Sequence, residues 1–147
     1  MEAYNHILCA TDFSQNSELA VERAIDIGKQ YHAKITLLHV VENFPEDRSN
    51  EMIAPEDIDP AKYRDEQARA RLGEYAKQFN YTDAELVVLF SAYSAGREIV
   101  HYASEHHADL IVASSHGHHG LAALLGSTAN TVVQTAPGDV LVVRIRN

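Results

Sequence analysis

Short apolar runs alternate along this chain with longer stretches in which apolar residues return every three or four positions. The run from His6 to Ala10 is apolar and stops at Thr11-Asp12-Phe13-Ser14, where three residues are of types that turn a chain or cap a helix. It predicts a buried first strand. From Ser17 to Tyr31, Ala20, Val21, Ala24, Ile27 and Gly28 recur at helical spacing, and Ile35 to Val41 then predicts a second strand. Residues 43–60 hold three of the four prolines and no sustained period, which predicts a mobile connection. Asp59-Pro60 is an N-cap followed by a first-turn proline, and Tyr63, Leu72, Tyr75, Ala76 and Phe79 mark one face of a second helix reaching about Gln78. A third strand is predicted over Ala84–Ser91, a third helix over Gly96–His107 and a fourth strand over Asp109–Ser115. A last helix over Ser127–Thr135 ends at Ala136-Pro137-Gly138, and a fifth strand runs over Asp139–Arg146.

Five strands separated by helices, four of them almost continuously apolar, imply a largely parallel sheet covered on both faces. Right-handed crossovers restrict this α/β arrangement to a doubly wound sheet, and the length suits one domain over residues 1–147. Ligands of such sheets bind beyond the carboxyl ends of the strands, where the strand order reverses. The two most polar segments that follow strands are Thr11–Ser14 and Ser114–Gly120. They become neighbours if the first and fourth strands flank the reversal.

Composition removes several functions. Of 147 residues, 21 are acidic and 12 basic, giving a net charge of −9, and no cluster of Lys or Arg interrupts the chain. Nucleic acid and anionic membrane surfaces are therefore not expected partners. The N-terminal segment has neither the charge pattern of a signal peptide nor the length of an anchor, and no apolar stretch reaches transmembrane length. The single cysteine, Cys9, excludes an intramolecular disulfide and sits in an apolar strand, so a cytoplasmic protein with an inert thiol is expected.

The candidate chemistry lies in Ser114–Thr128. Gly117 and Gly120 give backbone freedom, while Gly126-Ser127-Thr128 stands where a helix begins, so free amides and a hydroxyl point toward the same crevice. It is not a Walker A loop: Gly-Ser-Thr replaces Gly-Lys-Ser/Thr, and no lysine follows Lys77. A phosphate would be held by amides, hydroxyls and a metal ion; the alternative is that the glycines only shape a turn and Ser127 only caps the helix. His116, His118 and His119, with His106 and His107 nearby, raise the possibility of a metal site. The loop has no cysteine or carboxylate to complete one, and loop histidines are expected to be exposed, so no dedicated metal site is expected. His39 is expected to be a hydrogen-bonded core residue, Asp12 to face the crevice or cap the first helix, and no nucleophile, base and orienting acid can be assigned.

The segments "HILCATDFSQNSELAVERAIDIGKQYHAKITLLHVVE", "ADLIVASSHG", "GST" and "GDVLVVR" together resemble the universal stress protein family over essentially the whole chain. The resemblance implies a Rossmann-like fold with strand order 3-2-1-4-5, a homodimer formed through the C-terminal strand, and a stress-response regulator or sensor that binds ATP or another adenine nucleotide with Mg²⁺. It implies that Ala10, Thr11 and Asp12 line the adenine and ribose region and that Val40 meets the adenine through its backbone. Gly117, Gly126, Ser127 and Thr128 would meet the phosphates, and Gly120 is also retained. The family's nucleotide-binding pattern is G-x-x-G, nine residues, then G-S/T; here Ser114 takes the first glycine's place and only eight residues separate Gly117 from Gly126. These departures predict binding that is weakened rather than abolished. They also leave open a second class of protein, a dimer that binds no nucleotide and acts by contact with a protein partner.

Overall fold

The computed structural model describes residues 3–42, 59–116 and 125–144. The elements run β1 (His6–Ala10), α1 (Gln15–Tyr31), β2 (Lys34–Glu42), α2 (Pro60–Gln78), β3 (Glu85–Ser91), α3 (Ala95–Glu105), β4 (Leu110–Ser114), α4 (Ser127–Thr135) and β5 (Asp139–Val143). All five strands join one parallel sheet in the order β3-β2-β1-β4-β5, as the resemblance implied. Strand β1 lies at the centre, with Ile7 level with Ile35 on one side and Leu110 on the other.

Alternation along β1 explains why both faces need helices. Ile7 and Cys9 enter a core with Ala20, Val21 and Ala24 of α1 and Leu72 of α2. Leu8, pointing the other way, meets Ile99 and Ala103 of α3 and Val132 of α4. The large aliphatic side chains Ile7, Leu8, Leu38, Leu72 and Ile111 are essentially fully buried, each contributing about 1.5–3 kcal/mol of hydrophobic stabilisation. Cys9 is wholly buried, and burial pushes its thiol up to about 12, which makes it the inert residue expected.

Most element boundaries agree with the pattern, and the differences have local causes. Helix α1 starts at Gln15 because Ser14 is its N-cap, its hydroxyl accepting from Ser17 N–H at 3.1 Å. Asp12 therefore does not cap this helix. On the inner face of α1, Ile25 is buried and Ile27 only half-buried. Helix α2 begins at Pro60 with Asp59 accepting from Ala61 N–H at 3.2 Å. Helix α3 starts one position early, at Ala95, because the Ser94 hydroxyl caps it. The connection expected over 43–60 falls outside the described residues as far as 58.

Close packing of α3 against α4 sets the position of α4. A Cβ on Gly96 would lie 2.7 Å from Thr131 Cβ and 3.3 Å from the Thr128 carbonyl, so only a glycine lets the two helices approach this closely.

Candidate functional site

Parallel strands end together, and the order β3-β2-β1-β4-β5 reverses between β1 and β4. At their carboxyl ends lies a cavity of about 390 Å³. One wall is formed by Ala10, Thr11, Asp12 and Ser17 after β1, extended by Val40 and Glu42 of β2. The opposite wall is Ser114, Ser115 and His116 after β4, with Gly126, Ser127 and Thr128 at the start of α4. Leu38, Ile99 and Ala113 give it an apolar base. Ala10, Thr11, Asp12, Val40, Ser114, Gly126, Ser127 and Thr128, all singled out from the sequence, thus come together. Gly117 and Gly120, like His118 and His119, lie outside the described residues.

The β1 wall is tightly bonded. Thr11 is buried; its N–H donates to the Leu38 carbonyl at 2.9 Å, and its hydroxyl shares a 2.8 Å hydrogen bond with Ser17 and accepts from Phe13 N–H at 3.0 Å. Asp12 Oδ1 accepts from Ser14 N–H at 3.0 Å, closing an Asx turn that holds the carboxylate at the crevice. Between them Phe13 adopts a left-handed backbone conformation (φ 65°) with its ring against that of His39 at 4.3 Å and the Arg71 guanidinium over it at 4.1 Å.

His39 supports this turn from beneath. Its Nδ1 lies 2.8 Å from the Thr11 carbonyl oxygen, which can only accept, so Nδ1 carries the proton. Burial lowers its pKa below the ordinary histidine value, an effect opposed by that hydrogen bond. The hydrogen-bonded residue expected from the sequence is present, half-buried rather than fully enclosed.

The β4 wall is built differently. Ser115 N–H donates to the Val143 carbonyl at 2.8 Å, and Gly126 N–H donates to the Ser115 carbonyl at 2.7 Å, which brings the start of α4 against the end of β4. Gly126 itself is the N-cap, with no side-chain hydrogen bond to the first turn. Ser127 is therefore a first-turn residue and not the cap that one reading of the sequence made it. A helix start leaves its first amides without intrahelical partners, here those of Ser127, Thr128 and Ala129. The Ser114 hydroxyl donates to the His116 carbonyl at 2.7 Å, so the side chain standing where a glycine was expected folds onto its own loop.

His116 departs from the expectation that the loop histidines are exposed. It is 2% exposed, and its Nδ1 lies 2.9 Å from the Ser115 hydroxyl. His106, also considered for metal, stacks on Tyr102 with ring centroids 3.9 Å apart. Among the described residues no three His, Cys, Asp or Glu side chains are grouped to hold a metal ion. Sequence reasoning missed the base of the crevice, Leu38 and Ile99, because apolar residues on β2 and α3 carry no local motif.

The crevice offers a carboxylate at one wall, the uncapped amides of a helix start at the other, and an apolar base between, an arrangement fitted to a flat apolar group bearing an anionic tail. No lysine or arginine is among its described lining residues. Among the described residues no helix is long and apolar enough to cross a membrane.

The family model described as the universal stress protein family matches residues 3–144. Universal stress protein A homolog 2 of Coxiella burnetii is 34% identical over 147 residues, covering 99% of each chain. A universal stress protein solved in complex with cAMP superposes with a TM-score of 0.72 at 26% identity, covering 97% of this chain and 98% of that one. The Archaeoglobus fulgidus protein in complex with dAMP shares the fold, with a TM-score of 0.68 at 19% identity, covering 97% of this chain and 100% of that one. A Rossmann-like parallel sheet with its crevice at the β1/β4 reversal, matched along its length by these relatives, makes this chain a member of the universal stress protein family.

Proposed function

We propose that this protein is a cytoplasmic stress-response regulator or sensor, one domain over residues 1–147, that binds an adenine nucleotide in the crevice between β1 and β4. The observation that carries the reading is the pairing of an apolar base with the uncapped N-terminus of α4 in one cavity. The base would take the purine against Val40 and Leu38, with Ala10, Thr11 and Asp12 beside the ribose. Ser114, Gly126, Ser127 and Thr128, with Gly117 and Gly120, would take the phosphates. The cAMP bound by the relative that is 26% identical supports the choice of an adenine nucleotide.

Charge argues for a counter-ion when the ligand is ATP. Asp12 and Glu42 line the crevice, no lysine or arginine is among its described lining residues, and the chain carries −9 overall. Mg²⁺ between the phosphates and the Asp12 carboxylate fits that hard oxygen donor and would offset the repulsion. The groups at hand hold and discriminate a ligand, and the reading is of a sensor rather than a hydrolase. Calorimetric titration with ATP and Mg²⁺, and mass spectrometry of a denatured extract of the purified protein, test it. Saturable binding or co-purified nucleotide is expected, and their joint absence at millimolar ligand would sink the reading.

A second reading rests on the β5 edge. Leu141, Val142 and Val143 form, with Leu19 and Arg23 of α1, an open depression of about 610 Å³ in which Leu19 is 44% exposed. The opposite edge strand, β3, has its Leu86 carbonyl occupied by the Arg69 guanidinium at 3.0 Å. An apolar edge strand calls for a partner, and we propose that β5 pairs with that of a second copy to form a homodimer. In the alternative function the dimer binds no nucleotide, and its acidic surface, or residues 43–60, would serve a protein partner. Sedimentation showing a monomer at micromolar concentration would contradict the dimer.

A further inference from the structure

A bulky residue in the left-handed backbone region is strained, and it persists only where its surroundings hold it there. Among the described residues four non-glycine residues adopt this conformation. His32 is the C-cap of α1, and Asn80 and His107 each follow the C-cap of a helix, where a left-handed residue is an ordinary ending. Phe13, at φ 65°, instead joins the end of β1 to the start of α1, between Asp12 and the α1 cap Ser14. Glycine would adopt this backbone without strain, so the reason for an aromatic residue lies in what its ring touches.

Helix α2 grips that ring. Arg71 and Tyr75, one turn apart, both reach it: the Arg71 guanidinium lies 4.1 Å over the Phe13 ring and the Tyr75 ring is 6.1 Å from it, centroid to centroid. The His39 ring packs on it at 4.3 Å while its Nδ1–H holds the Thr11 carbonyl. None of Phe13, His39, Arg71 and Tyr75 lines the crevice. Phe13 and Tyr75 pack with Cys9 and Leu72 on the α1/α2 side of the sheet, whereas Leu38 and Ile99 of the crevice belong to the α3/α4 side. The link between the two sides is the turn itself. Phe13 N–H donates to the Thr11 hydroxyl and Ser14 N–H to Asp12 Oδ1, both at 3.0 Å, so two residues of the crevice wall are bonded around Phe13.

We infer that Phe13 and Arg71 are positioning residues of the crevice: from the opposite side of the sheet, α2 sets through the Phe13 ring where Thr11 and Asp12 stand, and so how strongly the ribose of a ligand is held. This inference rests on the nucleotide reading above and deepens it by placing a determinant of affinity on a helix outside the crevice. With the ring released, the strained turn relaxes and Asp12 samples more positions. Binding then has to order it again, which weakens affinity without removing any contact to the ligand.

Calorimetric titration of the full chain with adenosine and with adenine tests this, using wild type, Arg71→Met, Arg71→Lys and Phe13→Gly. Arg71 is exposed, so Arg71→Met removes the charge over the ring with little risk to folding, and Phe13→Gly removes the ring while suiting the left-handed backbone. Adenosine affinity is expected to fall about threefold in Arg71→Met and roughly tenfold in Phe13→Gly, and Arg71→Lys, which keeps a cation, recovers part of the loss. Adenine, which has no ribose, should bind each variant within about twofold of the wild type. Hydrogen exchange reads the same coupling without ligand: the Ser14 amide, bonded to Asp12, loses protection in Arg71→Met and Phe13→Gly, while the Leu8 amide in the central strand keeps it. Unchanged adenosine affinity in both variants, an equal loss for adenosine and adenine, or Ser14 exchange that stays unchanged or rises only together with that of Leu8 would each overturn the positioning role while leaving the nucleotide reading in place. A wild type that binds neither ligand at millimolar concentration overturns both.

Discussion

The two walls of the crevice are made of similar residues and put to opposite uses. After β1, Thr11, Asp12, Ser14 and Ser17 direct their side-chain oxygens at one another and at nearby backbone, and His39 secures the Thr11 carbonyl from below. After β4, the α4 N-cap is a glycine with no side-chain hydrogen bond, and the buried His116 Nε2 has no partner. Hydroxyls, an acid and a histidine build a rigid edge on one side. On the other, a histidine ring nitrogen and an uncapped helix start are left without partners. Capping, which stabilises α1, would consume the donors that α4 holds toward a ligand.

Thr11→Val tests the bonded wall most severely. It removes the acceptor of Phe13 N–H and the partner of the Ser17 hydroxyl, both in a buried setting, while keeping the side chain's shape. A loss of about 2 kcal/mol is expected in denaturant unfolding, accompanied by weaker binding of adenosine as well as AMP. A fall in AMP affinity alone would show that the β1 wall is not the rigid frame described. Ser14→Ala deletes only the α1 cap and should cost about 1 kcal/mol, with ligand affinity nearly unchanged.

Acidification acts on the bonded side through His39 and, deeper in the sheet, His6. The His6 Nδ1 lies 3.1 Å from the His106 carbonyl and its Nε2 2.8 Å from the Thr36 hydroxyl. Burial lowers both pKa values below the ordinary 6.5. The unfolded chain then binds more protons than the folded one as pH falls through that value, so stability is full above it and declines below. Unfolding by denaturant at about pH 7.5 and about pH 5.5 should show the decline, and a His6→Gln/His39→Gln variant should show a shallower one. An identical slope in the variant would remove these residues as its cause.

The smallest stability change belongs to the open wall. Gly126→Asp supplies α4 with the side-chain cap it lacks and should raise stability by a few tenths of a kcal/mol, read as a higher midpoint in thermal unfolding. The same carboxylate occupies the amides and repels phosphate, so AMP affinity should fall while adenosine affinity persists. If the substitution leaves AMP affinity intact, the helix start is not the phosphate end.

Much of the fold was legible because its signals are local. Asp59-Pro60 marked the start of α2, and Pro137-Gly138 the stop after α4, since backbone restriction acts on immediate neighbours. Strand order beyond a doubly wound sheet came from the family resemblance rather than from periodicity, which does not encode which strands pair. Local spacing also misjudged Ile25 and Ile27, because the packing direction of α1 depends on Ile35 and Leu72, far along the chain.

The site was legible where residues follow a strand end, as Thr11, Asp12 and Ser114 do. It was illegible where burial decides the chemistry. His116 resembles its neighbours His118 and His119 in sequence, and it becomes distinctive only once β4 pairs with β5 and the Gly126 amide reaches the Ser115 carbonyl. Asp12 illustrates the reverse: its type allowed a cap or a crevice acid, and the Asx turn to Ser14 N–H makes it the latter.

The central claim, that the α4 side of the crevice takes the phosphoryl end of an adenine nucleotide and the sheet side its base, is tested most directly by backbone amide shifts during parallel titrations with AMP and adenosine. The account predicts that both ligands move the amides of Ala10 and Val40, while AMP alone moves those of Ser127, Thr128 and Ala129. Amides of Ser127 and Thr128 that stay unmoved by AMP at millimolar concentration would contradict it.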